Sequence, residues 1–130
     1  MGEYDTRIVA IVDDDESLRR ALKNLLASVG FRVETFASAE AFLQSIHQEQ
    51  TGCLVLDLRM PGMNGLDLLG HLSSTGSPIP AVILTAHGDD AARQRSLQSG
   101  AVAFLSKPFD GKVLLDAVRT ALDQGGRRPG

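Results

Sequence analysis

The sequence predicts an α/β domain: a doubly wound, five-stranded parallel sheet with helices on both faces. Three observations predict it. Short apolar runs alternate with amphipathic helical patterns from one end of the chain to the other, as repeated βα units do. Most of the runs lack polar alternation, as strands covered on both faces do. Acids, a hydroxyl and an ammonium recur immediately after the runs, where such a fold gathers them on one rim.

The elements follow in order. Ile8-Val9-Ala10-Ile11-Val12, Cys53-Leu54-Val55-Leu56, Ala81-Val82-Ile83-Leu84 and Ala101 to Leu105 read as central parallel strands. Arg32-Val33-Glu34-Thr35-Phe36 mixes polar and apolar positions and is assigned to an edge. Leu18, Ala21, Leu22, Leu25, Leu26 and Val29 make the stripe of a first helix stopped at Gly30. Ser38 can cap a helix carrying Phe42, Leu43 and Ile46, and Asn64 or Gly65 can open one carrying Leu66, Leu69 and Leu72. The stretch Asp89 to Ser99 offers mainly Ala91, Ala92 and Leu97 for burial, a thin apolar payload that predicts the least firmly docked helix. Val113, Leu114, Ala117, Val118, Ala121 and Leu122 form the last stripe, ended by Gly125-Gly126. Five strand–helix pairs joined by right-handed crossovers give a flavodoxin-like sheet of order 2-1-3-4-5 with five helices. Residues 1–6 read as a leader, 7–124 as the domain, and 125–130 as a flexible tail or the start of a linker.

Composition narrows the function. At 130 residues, 43% hydrophobic and 22% charged, the chain holds one ordinary domain. A net charge of −3 supplies no basic surplus for nucleic acid or anionic membrane. The apolar runs fall far short of a spanning helix, and MGEYDTR has no apolar signal region. One cysteine, Cys53, excludes an internal disulfide and a multi-cysteine zinc site and suits a reducing, cytoplasmic setting. It reads as a small core residue. His47 and His71 fall on helix surfaces by pattern and receive no function.

The strand ends carry the chemistry. Asp13, Asp14 and Asp15 follow the first run, Asp57 the third, Thr85 the fourth, and Ser106-Lys107-Pro108 the fifth. A carboxylate at the end of a buried strand is costly to desolvate unless something offsets it. Asp13, Asp14 and Asp57 side by side would repel one another without a cation among them, and an all-oxygen, water-accessible set suits Mg²⁺. Asp15 or Glu16 would cap the first helix. A carboxylate can attack phosphorus to give an aspartyl phosphate, while a metal and a lysine neutralise the transferring oxygens. Thr85 and Lys107 fit as hydroxyl and cation for that phosphate, although singly each is an ordinary strand-end hydroxyl and surface lysine.

IVDDD (11–15), LDLRMPGMNGLDLL (56–69), VILTAHGD (82–89) and GAVAFLSKPF (100–109) together resemble the CheY-like receiver domain of bacterial two-component response regulators. The wording is similar to regulators of the LuxR/FixJ type, which control transcription. The resemblance spans residues 7–124. It implies Asp57 as phosphoacceptor, Asp14 as a direct Mg²⁺ ligand, Asp13 acting through water, and the Arg59 backbone carbonyl as a further ligand. It implies Thr85 as switch hydroxyl, Phe104 as switch aromatic and Lys107 as phosphate-pairing lysine, with a cis Lys107-Pro108 bond. Arg59 and His87 would tune the phosphoryl lifetime. Ser17, Leu18, Ala21, Pro108 and Phe109 would meet the kinase, although Leu18 and Ala21 fit the core stripe equally well. The partner implied is a sensor histidine kinase or phosphotransfer protein, with room for homodimerisation on phosphorylation and with self-phosphotransfer and slow autodephosphorylation as the only catalytic activities.

Two other readings compete. Phosphatases of the haloacid dehalogenase type use a similar set but need an acid two residues after the nucleophile, and that position here is Arg59. A phosphorylation-independent binding module would not need the complete acid, hydroxyl and ammonium set. An output module does not fit within 130 residues, so the chain reads as a stand-alone receiver or as a piece cut at a linker.

Overall fold

The computed structural model describes residues 7–76, 78–86 and 88–126. The predicted leader and residues 127–130 of the predicted tail lie outside them. The elements are β1 (Ile8–Val12), α1 (Glu16–Ser28), β2 (Arg32–Phe36), α2 (Ala39–Leu43), a 3₁₀ turn (Gln48–Gln50), β3 (Thr51–Leu56), α3 (Gly65–Ser74), β4 (Ala81–Thr85), α4 (Asp90–Gln98), β5 (Ala101–Ser106) and α5 (Gly111–Gly126). All strand pairs are parallel, in the predicted order β2-β1-β3-β4-β5.

Side-chain alternation divides the interior into two cores. Val9, Ile11, Cys53, Val55, Val82 and Leu84 face Leu22 and Leu26 of α1 and Leu114, Val118, Ala121 and Leu122 of α5. The opposite face presents Ala10, Val12, Leu54, Leu56, Ala81 and Ile83 to Phe42 of α2, Leu68, Leu69 and Leu72 of α3, and Ala92 of α4. Phe42 is fully buried and meets Phe36 edge to face, with centroids 5.4 Å apart, a favoured aromatic geometry.

Local chemistry sets the helix starts. Asp15, Ser38, Asn64 and Asp89 each accept a backbone N–H of the first turn they cap. Asn64 and Asp67 do so reciprocally, as a capping box. Gly30, at φ +97°, ends α1 in the left-handed region that glycine enters without penalty.

Several expectations are corrected. The Ala101 to Leu105 run is not a central strand: β5 forms the second edge, and its residues after Ala101 are half-buried or exposed. Apolar composition does not separate a central strand from an edge strand shielded by flanking helices. Helix α2 ends at Leu43, so Ile46 lies beyond the helical phase and is 89% exposed. In α4 the inward pair is Ala92 and Ser96, with the Ser96 hydroxyl donating to Ala92 O. Leu97 lies about 140° around the helix from Ala92, and both it and Ala91 are exposed. Val29, Ala21 and Val113 likewise turn outward from their stripes, whereas Leu68 is buried. His47 has a specific neighbour: its Nδ1 lies 2.8 Å from Glu34 Oε2, joining the turn before β3 to the β2 edge.

Candidate functional site

The carboxyl ends of β1, β3, β4 and β5 share one rim. Asp13 follows β1 directly, and its N–H donates to Phe36 O across the sheet. The Asp13 side chain is therefore carried inward, 3% exposed overall, with Oδ1 accepting the Asp15 N–H at 2.9 Å. Asp57 follows β3 in the same way, its N–H donating to Val12 O. It is 5% exposed, and its Oδ1 accepts the Arg59 N–H at 3.2 Å. Asp14 points to the exposed side, and Asp15 caps α1, as expected.

Lys107 follows β5, its backbone N–H held by Thr85 O at 3.0 Å. Its Nζ donates to Asp13 Oδ2 at 2.9 Å and to Asp57 Oδ2 at 2.8 Å. One ammonium thus bridges two carboxylates that burial would otherwise penalise. Burial pushes the Asp13 carboxyl above the usual range, against the pull of the Asp15 N–H and Lys107. Burial acts to lower the Lys107 ammonium value, but its bonds to Asp57 and Asp13 outweigh that, and the net shift is upward. The ammonium is therefore retained.

The ligand atoms offered by Asp13, Asp14 and Asp57 lie within 4.8 Å of one another. Octahedral Mg²⁺ holds oxygens at about 2.1 Å, which places adjacent ligands ~3.0 Å and opposite ligands ~4.2 Å apart. The cluster needs only slight contraction to fit. The set is all oxygen, and with Lys107 it carries a formal charge of −2, which matches a hard divalent cation.

Thr85 ends β4 fully buried, opposite Ser106 in the ladder. Phe104 pairs in register with Ile83, is half-buried, and packs against the core beneath α2, α3 and α4. A methyl at Gly88 would stand 2.5 Å from the Phe104 ring and 3.5 Å from the Thr85 methyl, so both side chains converge on that glycine. The Lys107-Pro108 bond is cis.

The remaining expected residues differ in their exposure. The Arg59 side chain is exposed, and His87 lies outside the described residues. Ser17, Ala21 and Pro108 are exposed, Leu18 and Phe109 half-buried, and the latter two also pack against the α1/α5 core. Sequence reasoning missed Arg19, whose guanidinium donates to Asp13 O at 2.7 Å. The signal was its place one turn into the helix that follows the acids. It also missed why position 65 is glycine: a Cβ there would collide with the Asp57 carbonyl oxygen and stand 3.1 Å from Leu58 Cα. Helix α3 thus starts hard against the backbone of Asp57.

Comparison with known proteins converges with this geometry. The chain is 47% identical over 121 residues to Nodulation protein W of Bradyrhizobium diazoefficiens, covering 93% of this chain and 53% of that protein. It spans about half the length of the curated relatives it matches. Among solved structures, the response regulator StyR superposes with a TM-score of 0.88 at 48% identity, covering 95% of this chain and 62% of that one. The crystal structure of FixJ-N superposes at 0.83 and 38% identity, over 100% and 99% of the two chains. Residues 9–119 match the family model of the response regulator receiver domain. With strand order, rim and sequence in agreement, the chain belongs to the response regulator receiver domains of two-component systems.

Proposed function

We propose that Asp57 accepts a phosphoryl group from the phosphohistidine of a sensor histidine kinase or phosphotransfer protein, and that the domain switches a signalling surface until slow hydrolysis resets it. The observation that carries this reading is the Lys107 ammonium bonded at once to Asp13 and Asp57. It lies where charge on a transferring group would develop.

In the transfer, an Asp57 carboxylate oxygen forms the new bond to phosphorus as the P–N bond breaks and the departing imidazole keeps the bonding pair. Asp14, Asp57 and the Arg59 carbonyl would hold Mg²⁺ directly and Asp13 through water; the ion, when bound, would supply positive charge to the phosphoryl oxygens. Lys107 is freed from Asp57 Oδ2 to pair with the phosphate. Thr85 offers its hydroxyl to the same group, and Phe104 follows by packing. Arg59 and His87 would govern access of the hydrolytic water. Ser17, Leu18, Ala21, Pro108 and Phe109 would form the kinase contact. Among the described residues no helix is long and apolar enough to cross a membrane, which fits a cytoplasmic domain. Self-association on phosphorylation, and an output carried by a further domain or partner, belong to the same proposal.

Incubation of wild type and Asp57→Asn with acetyl phosphate and Mg²⁺, followed by intact mass, tests it. One acid-stable, base-labile phosphoryl adduct on wild type alone is expected. No adduct, from either acetyl phosphate or a phosphorylated kinase, would overturn the reading. Turnover of a generic phosphoester would instead favour the phosphatase.

A further inference from the structure

The loop joining β3 to α3 carries Arg59 and closes locally: Arg59 N–H binds Asp57, Gly65 N–H donates to Leu58 O, and Asn64 and Asp67 cap each other. Besides the Lys107–Asp57 bond at its first residue, a second side-chain hydrogen bond ties this loop to a distant element. Glu40, in the first turn of α2, reaches across 23 positions of sequence so that its Oε2 accepts the Met63 N–H at 2.9 Å. The carboxylate lies directly over Gly62, where a Cβ would come within 2.6 Å of Oε2. Gly62 has φ +77°, a conformation glycine alone adopts without strain. The loop backbone is thus shaped so that the carboxylate can seat on it. The Met63 N–H holds the Glu40 carboxyl below the usual range, so it is an anionic acceptor at neutral pH. Helix α2 itself is fixed by its Ser38 cap and by the buried Ala39 and Phe42, which gives the tether a firm base.

From this geometry we infer that Glu40 is a positioning residue: it sets the β3–α3 loop, and through it the Arg59 carbonyl, for cation binding at the acceptor site. The inference rests on the Mg²⁺ reading of that site. Groups that orient metal ligands without touching the metal act in this way elsewhere. A neutral acceptor of the same shape should serve nearly as well as the carboxylate, since its work is to accept one N–H.

Calorimetric titration of Mg²⁺ into wild type, Glu40→Ala, Glu40→Gln and Ser38→Ala tests this, with hydrogen exchange of the Met63 amide as a metal-free readout. Expected are a dissociation constant raised roughly fivefold to tenfold by Glu40→Ala, in line with the loss of one ordinary, solvent-exposed hydrogen bond, and faster Met63 exchange. Glu40→Gln should restore both to within about twofold of wild type. Ser38→Ala, which loosens the base of the tether but keeps the Glu40 carboxylate, should raise the dissociation constant less than Glu40→Ala does. Wild-type affinity or wild-type Met63 protection in Glu40→Ala overturns the inference while leaving the site reading intact. If Glu40→Gln behaves like Glu40→Ala, Glu40 acts by long-range charge and the positioning role is refuted. If wild type binds no Mg²⁺, both the metal reading and the inference fall.

Discussion

Replacing Lys107 by methionine keeps most of the apolar stem and deletes the charge that bridges Asp13 and Asp57. At an effective dielectric of about 20, contacts of 2.9 and 2.8 Å give a gross attraction of about 12 kcal/mol. The repulsion between two carboxylates 4.8 Å apart, the outer limit of the cluster, is about 3.5 kcal/mol. Desolvation of the ammonium cancels much of that attraction, and removing one member of a buried pair typically costs about 3–5 kcal/mol. The Lys107 side chain is 19% exposed and Asp14 opens the site to water, so the low end applies. The expected loss is about 3 kcal/mol without metal, within the ~5–15 kcal/mol of a typical domain. In urea, with a slope near 2 kcal/mol per molar, the midpoint should fall by about 1.5 M. Saturating Mg²⁺ should narrow the gap, because the variant cluster has a formal charge of −3 and draws a cation more strongly. Adding Asp13→Asn should recover part of the loss. A Lys107→Met midpoint equal to wild type in chelator, or a gap that Mg²⁺ leaves unchanged, would refute the charge-balance argument.

Three further outcomes are expected. Burial pushes the Cys53 thiol from 9.0 up to about 12, so the native protein should resist alkylation at neutral pH and react only on unfolding. The same rise means that the stability tied to the neutral thiol is complete below pH 9.0 and is lost as pH climbs toward about 12; Cys53→Ala should show a shallower alkaline decline in melting temperature, and an identical decline would count against it. Gly65→Ala should cost about 2 kcal/mol or more and slow acetyl-phosphate labelling of Asp57, since the neighbour it strikes is backbone; wild-type melting and labelling together would remove that account. Asp89→Ala should cost about 1 kcal/mol and speed amide exchange throughout α4, whereas unchanged exchange would mean that the cap does not hold the helix.

The parts of the fold that were legible in the sequence are those where burial leaves a periodic trace. Leu22 and Leu26, or Leu114 and Val118, repeat at helical spacing because one face of each helix is covered, and Asp57 stood out because a charge ended a wholly apolar run. Where burial is decided by the end of an element, the trace fades. Ile46 fits the α2 stripe but follows the helix end, and Ser96 is buried because its hydroxyl turns back on Ala92. Glu40 carries no periodic signal at all, because its role depends on a loop distant in sequence, and the Glu34–His47 pair was hidden for the same reason.

The Lys107 bridge joins positions 94 and 50 residues apart in the chain. During synthesis from the amino terminus, Asp13 and Asp57 emerge long before the ammonium that balances them. A nascent or truncated chain lacking β5 therefore possesses both buried carboxylates without their counter-ion, and its sheet ends at β4. Charge balance at the rim is thereby made contingent on finishing the fold: the last strand to arrive brings the ammonium that the carboxylates after the first and third require.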